Sequence, residues 1–208
     1  VGQFCTNPGL VVLPPSTRRD AFLDAVQSGT EQAGAGTMLH AGIRASYERR
    51  LAEIDALEGV ERLATGREGT GSATPAQTVV FRTDADTFLA HPTLREEIFG
   101  PASLIVTCET GEHVQNVAAA VAGNLTATLH GTEDELLEHL DLIRLLERKV
   151  GRLSVGGFPT GVEVCEAMQH GGPYPATTDV RSTSVGTAAI ERFVRPIAYQ
   201  NVPASLLG

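Results

Sequence analysis

The sequence predicts an α/β fold on a mostly parallel sheet flanked by helices, and three observations carry that expectation. Short apolar runs alternate with amphipathic helical stretches through the middle of the chain. The connections between those runs are about a dozen residues or longer, which suits helical crossovers and hence parallel strands with right-handed connections. At 208 residues and 42% hydrophobic, the chain has enough apolar side chain for a sizeable core.

Taken in order, the expected elements begin with two helices. Thr17 is placed to cap the first, with Asp20 at capping-box spacing and Gly29 closing it. Ile43, Tyr47, Leu51 and Ile54 recur every three or four residues and give the second helix one buried face, ending near Gly59. Residues 64–76 form a polar, glycine-rich connector. Thr78 to Arg82 and Ser103 to Cys108 are expected as strands. A helix through Val114, Val117 and Val121 stops at Gly123, and a strand runs from Leu125 to His130. Thr132 and Glu135 make a second capping box, opening a helix through Leu140 to Val150, and Arg152 to Val155 is a further strand. The last fifty or so residues are rich in Gly, Pro and Thr and are expected as long ordered loops, which usually carry function. Arg192 to Tyr199 is expected as a terminal strand, with Pro196 confining it to an edge.

Composition excludes several classes. Net charge is −9 with no basic stripe and no Trp, so nucleic acid is not an expected partner. No run of eighteen apolar residues exists, so no membrane partner is expected. Three widely spaced cysteines argue against a disulfide framework and for a reducing, cytoplasmic setting. No metal site is expected. Gly66, Gly69 and Gly71 do not make a nucleotide fingerprint, because that requires strand, glycine turn and helix in that order, whereas helix, loop and strand are expected here.

Three segments carry the chemistry: Gly2-Gln3-Phe4-Cys5, Arg95-Glu96-Glu97-Ile98-Phe99-Gly100-Pro101, and Leu153-Ser154-Val155-Gly156-Gly157 with the loop around His170. Cys5 stands on a stretch whose Gly2, Pro8 and Gly9 suit a rigid turn, and a thiolate is the strongest side-chain nucleophile near neutral pH. Its other reading is a buried free thiol. A Gly-Gln-x-Cys turn followed about ninety residues later by Glu-Glu-Ile-Phe-Gly-Pro is a specific pairing, where either alone is weak. Together these motifs resemble the C-terminal, catalytic half of the aldehyde dehydrogenase superfamily, from Gly2 to nearly the last residue. The stretch Met168-Gln169-His170-Gly171-Gly172-Pro173-Tyr174-Pro175 is similar to the branch holding α-ketoglutaric semialdehyde dehydrogenases and bacterial fatty aldehyde dehydrogenases.

The resemblance implies a three-layer catalytic domain spanning residues 1–208 and a role for each matched residue. Cys5 falls on the nucleophile and its backbone N–H on an oxyanion donor. Glu97 falls on the carboxylate that holds the nicotinamide ribose. Phe99 falls on the aromatic beside the nicotinamide ring, with core packing as the alternative. His170 falls in a loop near the nucleophile, where it assists the thiol or contacts a cofactor phosphate; otherwise it is a hydrogen-bonded loop residue. Glu96 is expected as a solvated helix end, Cys108 and Cys165 as inert, and the other histidines as structural or exposed. The cofactor is NAD or NADP and the substrate a small aldehyde.

The superfamily's N-terminal dinucleotide-binding domain supplies the phosphate-binding helix, an oxyanion asparagine and a general-base glutamate, and none of these is matched in this sequence. The expectation is therefore a catalytic-domain fragment. Its partner is its own N-terminal domain in the full-length protein, and alone it is inactive and without tightly bound cofactor. An exposed cofactor-facing surface including Phe4 and Phe99 favours a homo-oligomer. Arg18, Arg19 and Arg181 are candidate contacts for an acidic semialdehyde. Two other classes compete with this reading. One is a papain-type cysteine hydrolase, with His170 as the histidine paired with the thiol and Asp179 orienting it; the other is a non-catalytic assembly module.

Overall fold

The computed structural model describes residues 1–69, 71, 73–158 and 161–207. Its centre is a four-stranded sheet in the order β1 (Leu10–Leu13), β6 (Ala102–Thr107), β5 (Val79–Asp84), β3 (Glu61–Thr65). β1, β6 and β5 run parallel, and β3 is an antiparallel edge strand with a register shift between Arg62 and Ala64. The strands read as continuous apolar runs because both faces are covered. Val79, Phe81, Leu104 and Val106 point into the larger core with α2 (Ala41–Asp55), α3 (Ala85–Ala90) and α4 (Gly111–Ala120). The intervening Val80 and Ile105 point the other way, onto Leu23 of α1 (Arg19–Gln32). This period of two gives three layers, helix on sheet on helix. A second pair of parallel strands, β7 (Asn124–Leu129) and β8 (Val150–Val155), is joined through α5 (Glu133–Glu138) and α6 (Leu140–Glu147).

Several boundaries differ from expectation, each for a local reason. The capping box of Thr132 and Glu135 is present, but the helix after it breaks at His139, whose φ of −117° and ψ of 33° are not helical. Val150 opens β8 instead of closing that helix. Thr17 does not cap α1: the helix is preceded by Arg18 without a side-chain cap, and the Ser16 hydroxyl accepts the Arg18 N–H at 3.1 Å. α1 also runs through Gly29, because burial of Thr30 on the sheet side carries the helix to Gln32. The Gly66–Gly71 stretch follows β3, a strand whose exposed Glu61 and Arg62 disguised it, and leads to β4 (Pro75–Ala76), which pairs with β2 (Gly36–Thr37). The order is thus strand, loop, strand, and a helix N-terminus for a phosphate is still not provided there; Thr70 and Ser72 of that loop lie outside the described residues. No terminal strand forms over Arg192 to Tyr199. Residues Thr187–Phe193 make a short 3-10 helix, and Phe193 is 85% exposed with no strand to pair against among the described residues.

Candidate functional site

Gly2 to Asn7 forms a turn at the amino end of β1, closed by the Asn7 N–H donating to the Phe4 carbonyl at 2.9 Å. Cys5 stands exposed on this turn, while the adjoining Thr6 is buried. Three contacts fix the turn. The Gln3 side-chain oxygen accepts the Leu39 N–H at 2.9 Å. The Ser103 hydroxyl donates to the Pro8 carbonyl at 2.6 Å. Gly2, at φ +60°, lies so close to the Gly100–Pro101 peptide that a Cβ would be 2.1 Å from the Pro101 nitrogen. Only glycine meets both demands, a left-handed φ and backbone in contact with backbone.

The opposite wall is the segment leading into β6. Parallel pairing of Leu10 with Leu104 brings the start of β1 beside the start of β6, so the Cys5 turn lies against the residues just after Glu97. The two carboxylates of that segment are not equivalent. Glu96 is gripped by Arg50 at 3.4 Å, whereas Glu97 is exposed and has no protein partner among the described residues. Phe99 is 45% exposed and Phe4 is 54% exposed, beside the same junction. Here the fold unites the first two predicted segments. It also departs from the usual rule for parallel sheets, where ligands lie beyond the carboxyl ends of strands.

The third segment is held differently. Gly156 and Gly157 follow the carboxyl end of β8 at φ +66° and +69°. The loop around His170 packs against the amino ends, where a Cβ on Gly151 would be 2.1 Å from the Gly171 carbonyl oxygen. His170 donates its backbone N–H to the Thr183 hydroxyl at 2.8 Å, and its carbonyl accepts from the Ser184 N–H and hydroxyl. Its ring Nδ1 is buried without a partner among the described residues. No hydrogen bond or ion pair of the described residues ties it to the Cys5 turn. Asp179 accepts from Arg181 at 3.2 Å and does not orient His170, which leaves the hydrolase reading without its diad. Arg19 pairs with Glu109 and the Cys108 carbonyl at the far end of β6, which removes it from the Cys5 end of the sheet. Cys108 is fully buried, and burial pushes its thiol pKa up, as an inert core thiol requires.

Sequence reasoning gave Gln3 only as part of the Gly-Gln-x-Cys turn and missed that its side chain ties the turn to Leu39; it also missed Tyr47, read only as a helix-face residue. The Tyr47 ring lies against Gly100, where a Cβ would be 2.4 Å from Cδ2, and its hydroxyl is 2.8 Å from the Gln77 carbonyl and 3.2 Å from that of Pro101. The signal available for this was the pairing of Gly100 with Pro101, a place where backbone must be approached closely.

No family model matches the chain. Among curated proteins, it is 45% identical over 207 residues to the alpha-ketoglutaric semialdehyde dehydrogenase 2 of Azospirillum brasilense, covering 100% of this chain and 39% of that protein. It is 42% identical to the alpha-ketoglutaric semialdehyde dehydrogenase of Acinetobacter baylyi, covering 99% and 39%. The chain therefore spans about two fifths of the length of these relatives. In fold it is similar to the aldehyde dehydrogenase of Bacillus cereus solved as its NAD+ complex, with a TM-score of 0.73, 18% identity, and 92% of this chain and 38% of that one covered. A betaine aldehyde dehydrogenase from Staphylococcus aureus gives 0.72 at 15% identity, covering 92% and 39%.

Proposed function

Because this chain belongs to the aldehyde dehydrogenase superfamily, we propose that it forms the thiol-bearing catalytic domain of an NAD(P)-dependent enzyme that oxidises α-ketoglutaric semialdehyde to the corresponding acid. The observation that carries the site assignment is the junction at Gly100–Pro101, where the exposed Cys5 turn meets a segment with one carboxylate unpartnered among the described residues and one exposed aromatic ring.

The Cys5 thiolate attacks the aldehyde carbon, forming a C–S bond and a thiohemiacetal. The Cys5 backbone N–H donates to the oxygen as charge develops on it, a contribution of about 3 kcal/mol in comparable sites. A nicotinamide held at Glu97 and Phe99 would supply the hydride acceptor for that carbon, leaving the acyl group on Cys5 as a thioester. Water then cleaves the thioester on Cys5, releasing the acid and restoring the thiolate. Glu97 is fitted to hold a ribose diol, since its carboxylate is open to solvent and free to accept two O–H bonds, whereas Glu96 is occupied by Arg50. Phe99 presents a ring beside it for the nicotinamide. His170 is assigned to positioning its own loop, through Thr183 and Ser184, and not to the thiol.

The Gly66–Gly71 loop runs between strands, so the adenosine and phosphate end of the cofactor falls to a separate N-terminal domain of the full-length protein. The 208-residue chain alone turns over aldehyde poorly or not at all. Cys5 must remain a free thiol, which suits a reducing compartment such as the cytoplasm. The exposed Phe4 and Phe99 favour a homo-oligomer, which gel filtration reads directly. Among the described residues no helix is long and apolar enough to cross a membrane.

The test is a spectrophotometric assay of NADH or NADPH formation by the full-length protein carrying this chain. α-Ketoglutaric semialdehyde and a long-chain fatty aldehyde are compared as substrates. The proposal expects preference for the semialdehyde and loss of turnover in Cys5→Ser. Preference for the long-chain aldehyde overturns the substrate assignment, and an active Cys5→Ser overturns the mechanism.

A further inference from the structure

We infer that Tyr47 is a positioning residue for the Cys5 turn, acting through the Gly100–Pro101 peptide; the inference rests on the reading of Cys5 as the nucleophile. That peptide is held from two directions. The Gly2 backbone lies against it, with a Cβ there 2.1 Å from the Pro101 nitrogen and 2.2 Å from the Gly100 carbonyl carbon. The Tyr47 ring lies against the Gly100 Cα, with a Cβ there 2.4 Å from Cδ2 and 2.7 Å from Cε2. No side-chain atom fits on either glycine, so any movement of the ring is passed to the peptide and from the peptide to the turn.

The Tyr47 hydroxyl adds a second hold. It lies 2.8 Å from the Gln77 carbonyl and 3.2 Å from the Pro101 carbonyl, which also accepts the Val79 N–H at 2.9 Å. The next peptide along, Pro101–Ala102, to which that carbonyl belongs, is thus pinned to β5 on one side and to α2 on the other. Tyr47 is 3% exposed and sits on a four-turn helix packed into the main core, so its own place is set by the fold and not by the site. The chain of contact runs from the core through Tyr47, Gly100–Pro101 and Gly2 to Cys5. The same peptide continues back to Phe99 and Glu97. One buried ring therefore fixes the spacing between the thiol turn and the acid-bearing segment.

The experiment measures iodoacetamide alkylation of Cys5 and Cys165 in the same sample by peptide mass spectrometry. It compares wild type, Tyr47→Phe, Tyr47→Leu and the control Leu51→Ala, one helical turn away on the same core face. The Cys5 to Cys165 rate ratio is expected to shift by about threefold or more in Tyr47→Leu, and by less in Tyr47→Phe, which keeps the ring. Leu51→Ala is expected to keep the wild-type ratio. An unchanged ratio in both Tyr47 variants, or an equal shift in Leu51→Ala, overturns the inference. If Tyr47→Leu fails to fold, seen as alkylation of buried Cys108, Tyr47→Phe decides: a shifted ratio with Cys108 protected supports the inference, and an unshifted ratio overturns it. Failure of the proposed oxidation is separate, since it appears as an inactive wild-type full-length enzyme whatever the ratios show.

Discussion

Replacing Gly2 by alanine perturbs the site at its tightest contact. The new methyl carbon would sit 2.1 Å from the Pro101 nitrogen, 2.2 Å from the Gly100 carbonyl carbon and 2.4 Å from the Pro101 Cα. Favourable carbon contacts begin at about 3.5 Å, so the turn must retreat by more than about 1 Å. The neighbours are backbone, held by Tyr47 and Val79, and cannot swing aside as a flexible side chain does. Holding alanine at φ +60° costs a further 1–2 kcal/mol or so. Relief comes from moving the turn, since the sheet behind it is buried on both faces. A displacement of about 1 Å at a reacting group lowers the rate about 100-fold. The assay is steady-state turnover of the full-length protein, with thermal melting to confirm folding. Gly9→Ala is the control, because a Cβ there meets nothing within 4 Å. Gly2→Ala is expected to lose about two orders of magnitude in turnover while Gly9→Ala stays near wild type. Wild-type turnover in a folded Gly2→Ala would refute the claim that this packing sets the thiol.

Other consequences are open to direct measurement. Glu97→Gln keeps the shape of the side chain but weakens its acceptance of ribose O–H bonds; the Michaelis constant for the nicotinamide cofactor should rise about tenfold, with Cys5 alkylation unchanged. Phe88→Ala empties a fully buried ring position under β5 and β6 and should lower unfolding free energy by about 3–5 kcal/mol in denaturant titrations. Cys108 gives an alkaline limit. Its folded pKa is raised by burial, an effect reinforced by Glu109 and opposed by Arg19, so the folded state retains the proton more strongly than the unfolded chain. The stability it contributes is complete below the unfolded value near pH 8.5 and is lost as pH rises towards the folded value, by up to about 1.4 kcal/mol per pH unit. Chemical denaturation between pH 8 and pH 10 should show this slope, flattened in Cys108→Ala.

Much of the scaffold was legible because its signals are local. The Thr132–Glu135 box, the apolar run from Val79 to Phe81 and the glycine before β7 each specify structure within a few residues. The first two site segments were legible as motifs, but β1 was not: no strand is expected at Leu10–Leu13 from the sequence, and its pairing with β6, which brings the segments together, is seen only in the fold. What escaped has non-local causes. The strand at Glu61–Thr65 is an edge that carries charge outward, so its pattern is diluted. The apolar stretch from Arg192 to Tyr199 has strand composition, but composition does not supply a neighbour to hydrogen-bond with. The resemblance is what puts His170 in a loop near the nucleophile; nothing local in the sequence shows that Gly171 and Gly172 serve the close approach of that loop to Gly151 and Asn124. Tyr47 reads as ordinary helix periodicity, and only three-dimensional placement puts its ring on Gly100.

The most direct measurement is protection of Cys5 by the aldehyde. The 208-residue chain is titrated with α-ketoglutaric semialdehyde, and iodoacetamide alkylation of Cys5 and Cys165 is followed together. Reversible thiohemiacetal formation predicts a saturable slowing at Cys5 with Cys165 unaffected. Equal slowing at both thiols, or none at Cys5, contradicts the account.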